Sequence, residues 1–548
     1  MRKLSQLEID KVTKIINNIV NEGEIEALCI YGSQIAGYSK PDSDYDVIIV
    51  LKDYAEKVKY KYVEDDIYIS ALLIDTNYLI SDARKGSLGE FVVGRLLNPY
   101  LPLIGKELIE SIEVDYKTRI ITEILTEIVS TNGDFSRQLL IPLEFFLFEK
   151  LRKRSAIYPP TTYSYVKSYF GNQEEDNINQ TLSGFRKAVS ILEKNNLVKV
   201  ENDILQILTP QNKASYLKYL SIIFTDTTRG VKQYVIHGYA GRVGLKIFNK
   251  EARSKFNRMK EINHIPEKLA YPKKLWRIEE GILVSDSEDW RIKLKDNLGL
   301  NEEAVIKAKN RDPMDIRRAI YDSARIYEIN YKDKSTEFIV KKFNDLRAIK
   351  WHAINLWIRS FRKFRTDPTI RLSKEYRYIR ELKEKGFNTP KILAVSPNDR
   401  ILITEFIEGI PLDLIISDKL KNKNVNLKPI RDYGKTLKQI HDKGYSLGDT
   451  KPNNSISSRN QIYLIDLEQT EKGGNKTWDI VEFLFYVGKF TNNLDSVKEV
   501  IKEFIKGYSD DEEELELKKA SNIKYWSPFS PFLSPSITKI IRNELNRN

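Results

Sequence analysis

The sequence predicts a multidomain α+β protein, and three observations carry that prediction. The chain has 548 residues, three to four times the usual domain size of about 150 residues. Its front alternates an amphipathic helix with apolar strands. Its middle turns helical and closes on a hairpin, and its last part starts again with strands and ends in helices. With 41% apolar and 30% charged residues, each domain has enough apolar material to bury a core.

Composition excludes several classes. No apolar run approaches the ~18 residues that a membrane helix needs. The start, MRKLSQLEIDK, has no apolar stretch after its charges, unlike a secretory signal. One cysteine, Cys29, cannot form an internal disulfide, and four histidines are too few for a Cys/His zinc site. A soluble cytoplasmic protein without membrane contact is expected. The net charge is +12, and Arg229 to Arg277 holds thirteen Lys/Arg against three Glu, a net of +10. That segment is expected either to touch a polyanion such as DNA or RNA, or to be a solvated basic surface.

The first domain is expected over residues 1–112. Ser5 and Glu8 have capping-box spacing, and Val12, Ile15, Ile16, Ile19 and Val20 share one helix face. The strands EALCIY, YDVIIVL and IYISALLI follow. Between them lie Gly32-Ser33 and Asp44-Tyr45-Asp46. Period two puts Asp44 and Asp46 on one strand face, where two carboxylates can hold Mg²⁺ (or Mn²⁺). The Gly32-Ser33 turn lets backbone N–H groups and a hydroxyl approach phosphates. This region resembles the minimal nucleotidyltransferases of the polymerase-beta superfamily, whose GS…DxD motif it matches. That family carries a third carboxylate on the next strand, where this sequence aligns Ser70. Asp75 lies at the far end of the strand and Asp66 just before it. Glu90 and Arg95 fall on a predicted helix, either as site residues or, more commonly for such a pair, as a structural salt link.

Residues 113–216 are expected to be helical and winged-helix-like. The stretch TLSGFRKAVSILEKNNLVKVENDILQIL reads as a helix, a turn and a hairpin, with Phe185, Val189, Ile191 and Leu192 inward. A basic connector is expected over 217–311, with a strand pair around LWRIEEGILVSD.

The last domain, 312–548, holds the densest motif, GDTKPNNSISSRNQIYLIDLEQT. Asp449 precedes Asn454 by five positions, and Asp466 ends an apolar strand. One carboxylate orients an attacking hydroxyl, while a second carboxylate and an amide oxygen hold Mg²⁺ against the phosphates of ATP. Upstream, Lys341 lies on the strand EFIVKKF, suited to the α/β-phosphates, and Glu375 follows 34 positions later on a helix. Glu405 to Ile407 are placed as the adenine-facing hinge. Ser323 and Ala324 stand where a nucleotide loop is expected, next to Asp322 and without glycine. His441 precedes the loop, and Asp479 suits a bracing aspartate.

This stretch resembles the atypical protein kinases, and is similar to the RIO kinases and the small kinase of the KEOPS complex. The resemblance implies a compact two-lobed fold, with Asp449 as catalytic base, Asn454 and Asp466 as metal ligands, and Lys341 and Glu375 as the ion pair. Leu447-Gly448-Asp449 stands for His-Gly-Asp and Asp466-Leu467-Glu468 for Asp-Phe-Gly. The expected activity is ATP-dependent phosphorylation of protein serine or threonine. The rivals are nucleotidyl transfer to protein, RNA or a small molecule, and a nucleic-acid-binding regulator with nucleotide-sensing degenerate sites.

Overall fold

The computed structural model describes residues 2–20, 24–41, 43–208, 258, 261–262, 264–285, 288–309, 324–332, 334–344, 367–421, 423–489, 491, 493–509 and 515–547. The chain forms two compact units, Met1–Arg277 and Ile278–Asn548.

The first unit opens on the helix Gln6–Ile19. Ser5 and Glu8 cap it reciprocally, each side chain accepting from the other's backbone N–H. Its buried residues Val12, Ile15 and Ile16 join Leu28, Ile30, Val47, Ile49 and Leu73 in one core. The sheet runs Val58–Glu64, Tyr68–Asp75, Tyr45–Leu51, Ile25–Tyr31, Tyr100–Ile104. The Tyr45–Leu51 and Tyr68–Asp75 strands are parallel, and the other neighbours are antiparallel. The parallel pair is what sets residue 70 beside residue 46.

Beyond the sheet come the helices Lys106–Asn132, Leu143–Ile157, Thr161–Tyr169 and Glu174–Lys194. The hairpin Val198–Glu201/Ile204–Ile207 follows, with Ile141–Pro142 as its third strand. Phe185, Val189 and Leu192 are buried, but Ile191 is 42% exposed. One residue before Leu192 is about 100° round the helix, off the face that packs. The Glu174–Lys194 helix is also unlike a groove reader at its start. Its first turn holds Glu174, Glu175 and Asp176, and Asn177 donates to the carbonyls of Ala36 and Ser168 at 2.9 and 2.8 Å. Acidic charge and internal bonding occupy the turn that a recognition helix would turn to bases.

Most of the basic segment, including Lys246, Lys250, Arg253 and Lys255, lies outside the described residues. In its described part, Lys268 pairs with Glu144 and Lys274 with Glu267.

The expected local strand pair around 275–286 does not form. Arg277 bridges to Leu140 in the first unit, and Ile282–Leu283 runs parallel to Ile392–Ser396 in the second. The second unit's sheet runs Val305–Ala308, Ala324–Tyr331, Lys334–Lys342, Ile401–Glu405, Ile392–Ser396, Ile282–Leu283. Both edge strands precede residue 312, so this unit begins well before the expected boundary. The helix Pro368–Glu384 belongs with the sheet. The chain then passes into a helical part formed chiefly by Leu412–Leu420, Lys428–Asp442, Lys476–Gly488, Leu494–Tyr508 and Pro535–Asn546. Gly434 and Gly507 face the helices that cross them so closely that a Cβ on either would strike backbone carbonyls.

Candidate active sites

In the first unit a cavity of about 300 Å³ is lined by Gly32, Ser33, Asp44, Asp46 and Ser70. Gly32 is at φ +79°, and a Cβ there would collide with the Asp46 carboxylate. Only glycine lets the turn lie so close to that group. Cross-strand pairing lays out a row, Tyr62, Ser70, Asp46, Tyr31, across four strands. Ser70 therefore sits beside Asp46, where the sequence alignment placed it.

The remaining acids of this region do other work. The Asp75 carboxylate accepts from the backbone N–H groups of Tyr54, Asn77 and Tyr78. Asp66 is exposed on the turn before its strand and is not part of the cavity wall. Glu90 lies at φ +64° in a turn rather than on a helix, and binds Arg119, Lys150 and Arg154 at 2.9, 2.9 and 3.2 Å. It is thus a structural link. Arg95, on the 3-10 turn Val93–Leu97, does line the cavity. It donates to the Tyr60 hydroxyl at 2.9 Å and lies near the Tyr31 phenol. The far wall is helical and brings Arg154, Tyr158, Tyr163 and Tyr165, which no local motif announces.

In the second unit Lys341 Nζ lies 3.1 Å from Glu375, 2.7 Å from Asp466 and 3.2 Å from Glu468. Sequence separations of 34 and 125 positions close into one cluster because strand, helix and loop meet there. Burial opposes the Lys341 charge, but the three carboxylates outweigh it and hold it well above its ordinary range. Burial also works to raise Asp466, and Lys341 overcomes it, so that carboxyl is held low. Glu375 is pushed up to about 7, by burial first, against the pull of Lys341.

Arg371 lies one helical turn before Glu375. Its guanidinium grips Glu468 bidentately at 2.8 and 2.9 Å and donates to the Asn344 carbonyl at 3.1 Å. Sequence reading missed this pair. The i, i+4 spacing to Glu375 was its one local signal.

The catalytic-loop residues converge as well. Asn454 Nδ2 donates to the Asp449 carbonyl at 3.0 Å, which orients its amide. Asp449 Oδ2 meets Lys451 at 2.7 Å, while its buried Oδ1 has no hydrogen-bond partner among the described residues. Asp479 accepts from the N–H groups of Leu447 and Gly448 at 2.6 and 2.8 Å, and its Oδ2 lies 3.1 Å from His441. The loop is therefore braced from beneath. Glu405 ends its strand with its carboxylate accepting from Lys391 N–H, and half-buried Ile407 follows in the link between sheet and helices. Ala324 pairs with Lys341 across the sheet. Ser323 and Asp322 lie outside the described residues. The donor atoms of Asp466, Asn454, Asp44 and Asp46 are all hard oxygens, which fit Mg²⁺ or Mn²⁺.

Residues 13–84 match the family described as Polymerase beta, Nucleotidyltransferase, and residues 321–508 match the Lipopolysaccharide kinase (Kdo/WaaP) family. The KEOPS complex subunit Bud32 of Pyrococcus abyssi (strain GE5 / Orsay) is 33% identical over 109 residues, 20% of this chain and 47% of that protein. The chain thus spans about half the length of that relative. Among solved structures, an ethanolamine kinase of Plasmodium vivax shares 14% identity at a TM-score of 0.26, covering 49% of this chain and 98% of that one. A choline kinase of Cryptosporidium parvum Iowa II shares 13% at 0.25, covering 47% and 94%. The chain joins a polymerase-beta-type nucleotidyltransferase region to a kinase-like region similar to Bud32 and the Kdo/WaaP family.

Proposed function

We propose that the second unit transfers the γ-phosphoryl group of ATP to a hydroxyl, that of a protein serine or threonine. The observation that carries this reading is the convergence of Glu375 and Asp466 on Lys341, at 3.1 and 2.7 Å. In this reading Asp449 orients the attacking hydroxyl and takes its proton, with the buried Oδ1 as the acceptor. Asp466 and Asn454 hold Mg²⁺ (or Mn²⁺), which supplies charge neutralisation at the ATP phosphates. Lys341 turns to the α/β-phosphates and is kept in line by Glu375. The hinge at Glu405 to Ile407 meets adenine through backbone groups, since the Glu405 carboxylate is already bonded to Lys391 N–H. Ala324, opposite Lys341 across the sheet, covers the phosphates in this reading. A sugar hydroxyl is the alternative acceptor, favoured by the match to a lipopolysaccharide kinase family.

A second reading belongs to the first unit: nucleotidyl transfer, with Asp44 and Asp46 as metal ligands and Gly32 and Ser33 at the phosphates. The cavity lined by those residues favours it. We place both activities in the cytoplasm, consistent with a single, buried thiol at Cys29. Among the described residues no helix is long and apolar enough to cross a membrane. Parallel incubations with γ-labelled and α-labelled ATP test both readings. Protein-bound label from γ alone supports the kinase. Label from α on any acceptor supports nucleotidyl transfer. ATP turnover with no transfer of either label overturns both.

A further inference from the structure

We propose that the acceptor in the first unit's cavity presents an already ionised oxygen, that of a phosphate monoester, so that donor and acceptor become joined by a pyrophosphate bond. The inference rests on the nucleotidyl-transfer reading of that cavity and adds the chemical class of its second substrate.

A hydroxyl acceptor keeps its proton at neutral pH, so its attack on an α-phosphorus calls for a base. Among the described residues the cavity wall holds two carboxylates, Asp44 and Asp46, the second against Gly32. The position beside Asp46 is Ser70, whose neutral hydroxyl is no base. The nearby acids do not replace it. Asp75 is bonded to three backbone N–H groups, Glu90 is bound by three cations, and Asp66 stands outside the wall.

The cavity does hold a cation suited to an anion. Arg95 donates to the Tyr60 phenol at 2.9 Å and lies near the Tyr31 phenol. Those residues lie on the two strands that flank the pair carrying Ser70 and Asp46, so the guanidinium spans the row they form. Phenols are neutral at pH 7, and the carboxylates of the same wall, Asp44 and Asp46, are those this reading gives to Mg²⁺. The Arg154 guanidinium, by contrast, meets the Glu90 carboxylate. A guanidinium fork matches phosphate oxygens, and a phosphate monoester, with a second pKa of about 6, is largely dianionic at pH 7. Its oxygen attacks the α-phosphorus of a nucleoside triphosphate directly. The new P–O bond forms, the bond to the β-phosphate breaks, and pyrophosphate leaves with the electron pair. No proton is taken from the acceptor.

The test uses the full chain with Mg²⁺, the four α-labelled nucleoside triphosphates in turn, and two probes, glucose 1-phosphate and glucose. Transfer to glucose 1-phosphate should exceed transfer to glucose by at least ~100-fold, the usual scale of a missing base, and a nucleotide pyrophosphatase should cleave the product. Ser70→Asp should narrow that ratio at least ~10-fold, by adding a carboxylate that serves hydroxyls and repels phosphate. A second readout needs neither nucleotide nor metal. Calorimetric binding of glucose 1-phosphate should be lost in Arg95→Gln and retained in Arg84→Gln, a surface arginine paired with Asp115. Label reaching glucose as fast as glucose 1-phosphate overturns the inference and leaves nucleotidyl transfer standing. Binding that survives Arg95→Gln also overturns it. No label on either probe from any nucleotide overturns the transfer reading, and the inference with it.

Discussion

Asp449 is held by Lys451 through one oxygen and leaves the other buried without a partner among the described residues. An isosteric amide keeps the shape and removes the basicity. Asp449→Asn should lower kcat for γ-phosphoryl transfer by ~10²–10⁴-fold while the Kd for ATP stays within a few-fold, as measured by single-turnover transfer and equilibrium binding. Glu375 makes a pH prediction. Burial raises its carboxyl to about 7, above its unfolded value, so this group favours the folded state most below pH ~4.5 and loses that contribution as pH rises through about 7. Asp466, held low by Lys341, acts in the opposite sense. Its contribution is present above its unfolded value of about 3.9 and is lost only in more acid solution. Between pH 5 and 8, urea midpoints of Glu375→Gln should therefore show a flatter pH dependence than those of the native chain. A steeper slope in the variant would refute the assignment.

At the scale of elements, the helix Pro368–Glu384 decides where Lys341 points. Asp367 caps it, accepting from Thr369 and Ile370 N–H. It then presents Arg371 and Glu375 on one face. The Arg371–Glu468 fork ties this helix to the segment carrying Asp466, so it positions the ion pair without touching the reacting atoms. Removing Glu468 leaves the Arg371 guanidinium buried without its carboxylate, while removing Arg371 leaves Glu468 with Lys341 alone, so each loss is destabilising, by up to the ~3–5 kcal/mol of an unpaired buried charge. Arg371→Met should therefore raise KM for ATP and lower stability together. The double variant Arg371→Met/Glu468→Met should recover much of the stability but not the KM, which separates positioning from folding. Denaturant titration and initial rates would read both. The sequence showed Glu468 only as a departure from glycine. Its partner was invisible because a bidentate contact across 97 positions has no spacing rule. The motif helix and strand were legible from apolar period and caps, and a strand was expected around Ile282–Leu283, but its pairing with Ile392–Ser396 and the edge strand Val305–Ala308 were not. Val305–Ala308 is too short for a periodic signal, and only pairing makes it a strand.

At the scale of the molecule, the two candidate sites lie in different compact units, each with its own core. Sites that share no partners act additively. Asp44→Ala/Asp46→Ala should leave γ-phosphoryl transfer within a few-fold of native, and Asp449→Asn should leave any α-label transfer equally unchanged. Loss of γ-transfer in the Asp44/Asp46 variant would show that the units are coupled. The first unit's cavity is walled on one side by Arg154, Tyr158, Tyr163 and Tyr165, so cutting the chain near residue 112 should remove that wall and abolish nucleotide binding there, as equilibrium binding would show.

The sequence by itself determined the chemistry-bearing motifs: Gly32-Ser33 with Asp44 and Asp46, and Lys341, Glu375, Asp449, Asn454 and Asp466 in order. Motif residues are legible because each group must sit on a strand end, a tight turn or a capped helix, and such local geometry is written in neighbouring residues. It also announced Ser70 at the third-carboxylate position, through the resemblance to the nucleotidyltransferase motif, and the parallel strand pair sets that residue beside Asp46. Only the tertiary structure decided which charges face which. It turned Glu90 to three cations and Asp75 to a helix cap, paired Arg371 with Glu468, and left Arg95 among phenols in the cavity. The physical reason is that a buried charge takes its partner from whatever element packs against it, and that choice is made by the whole core.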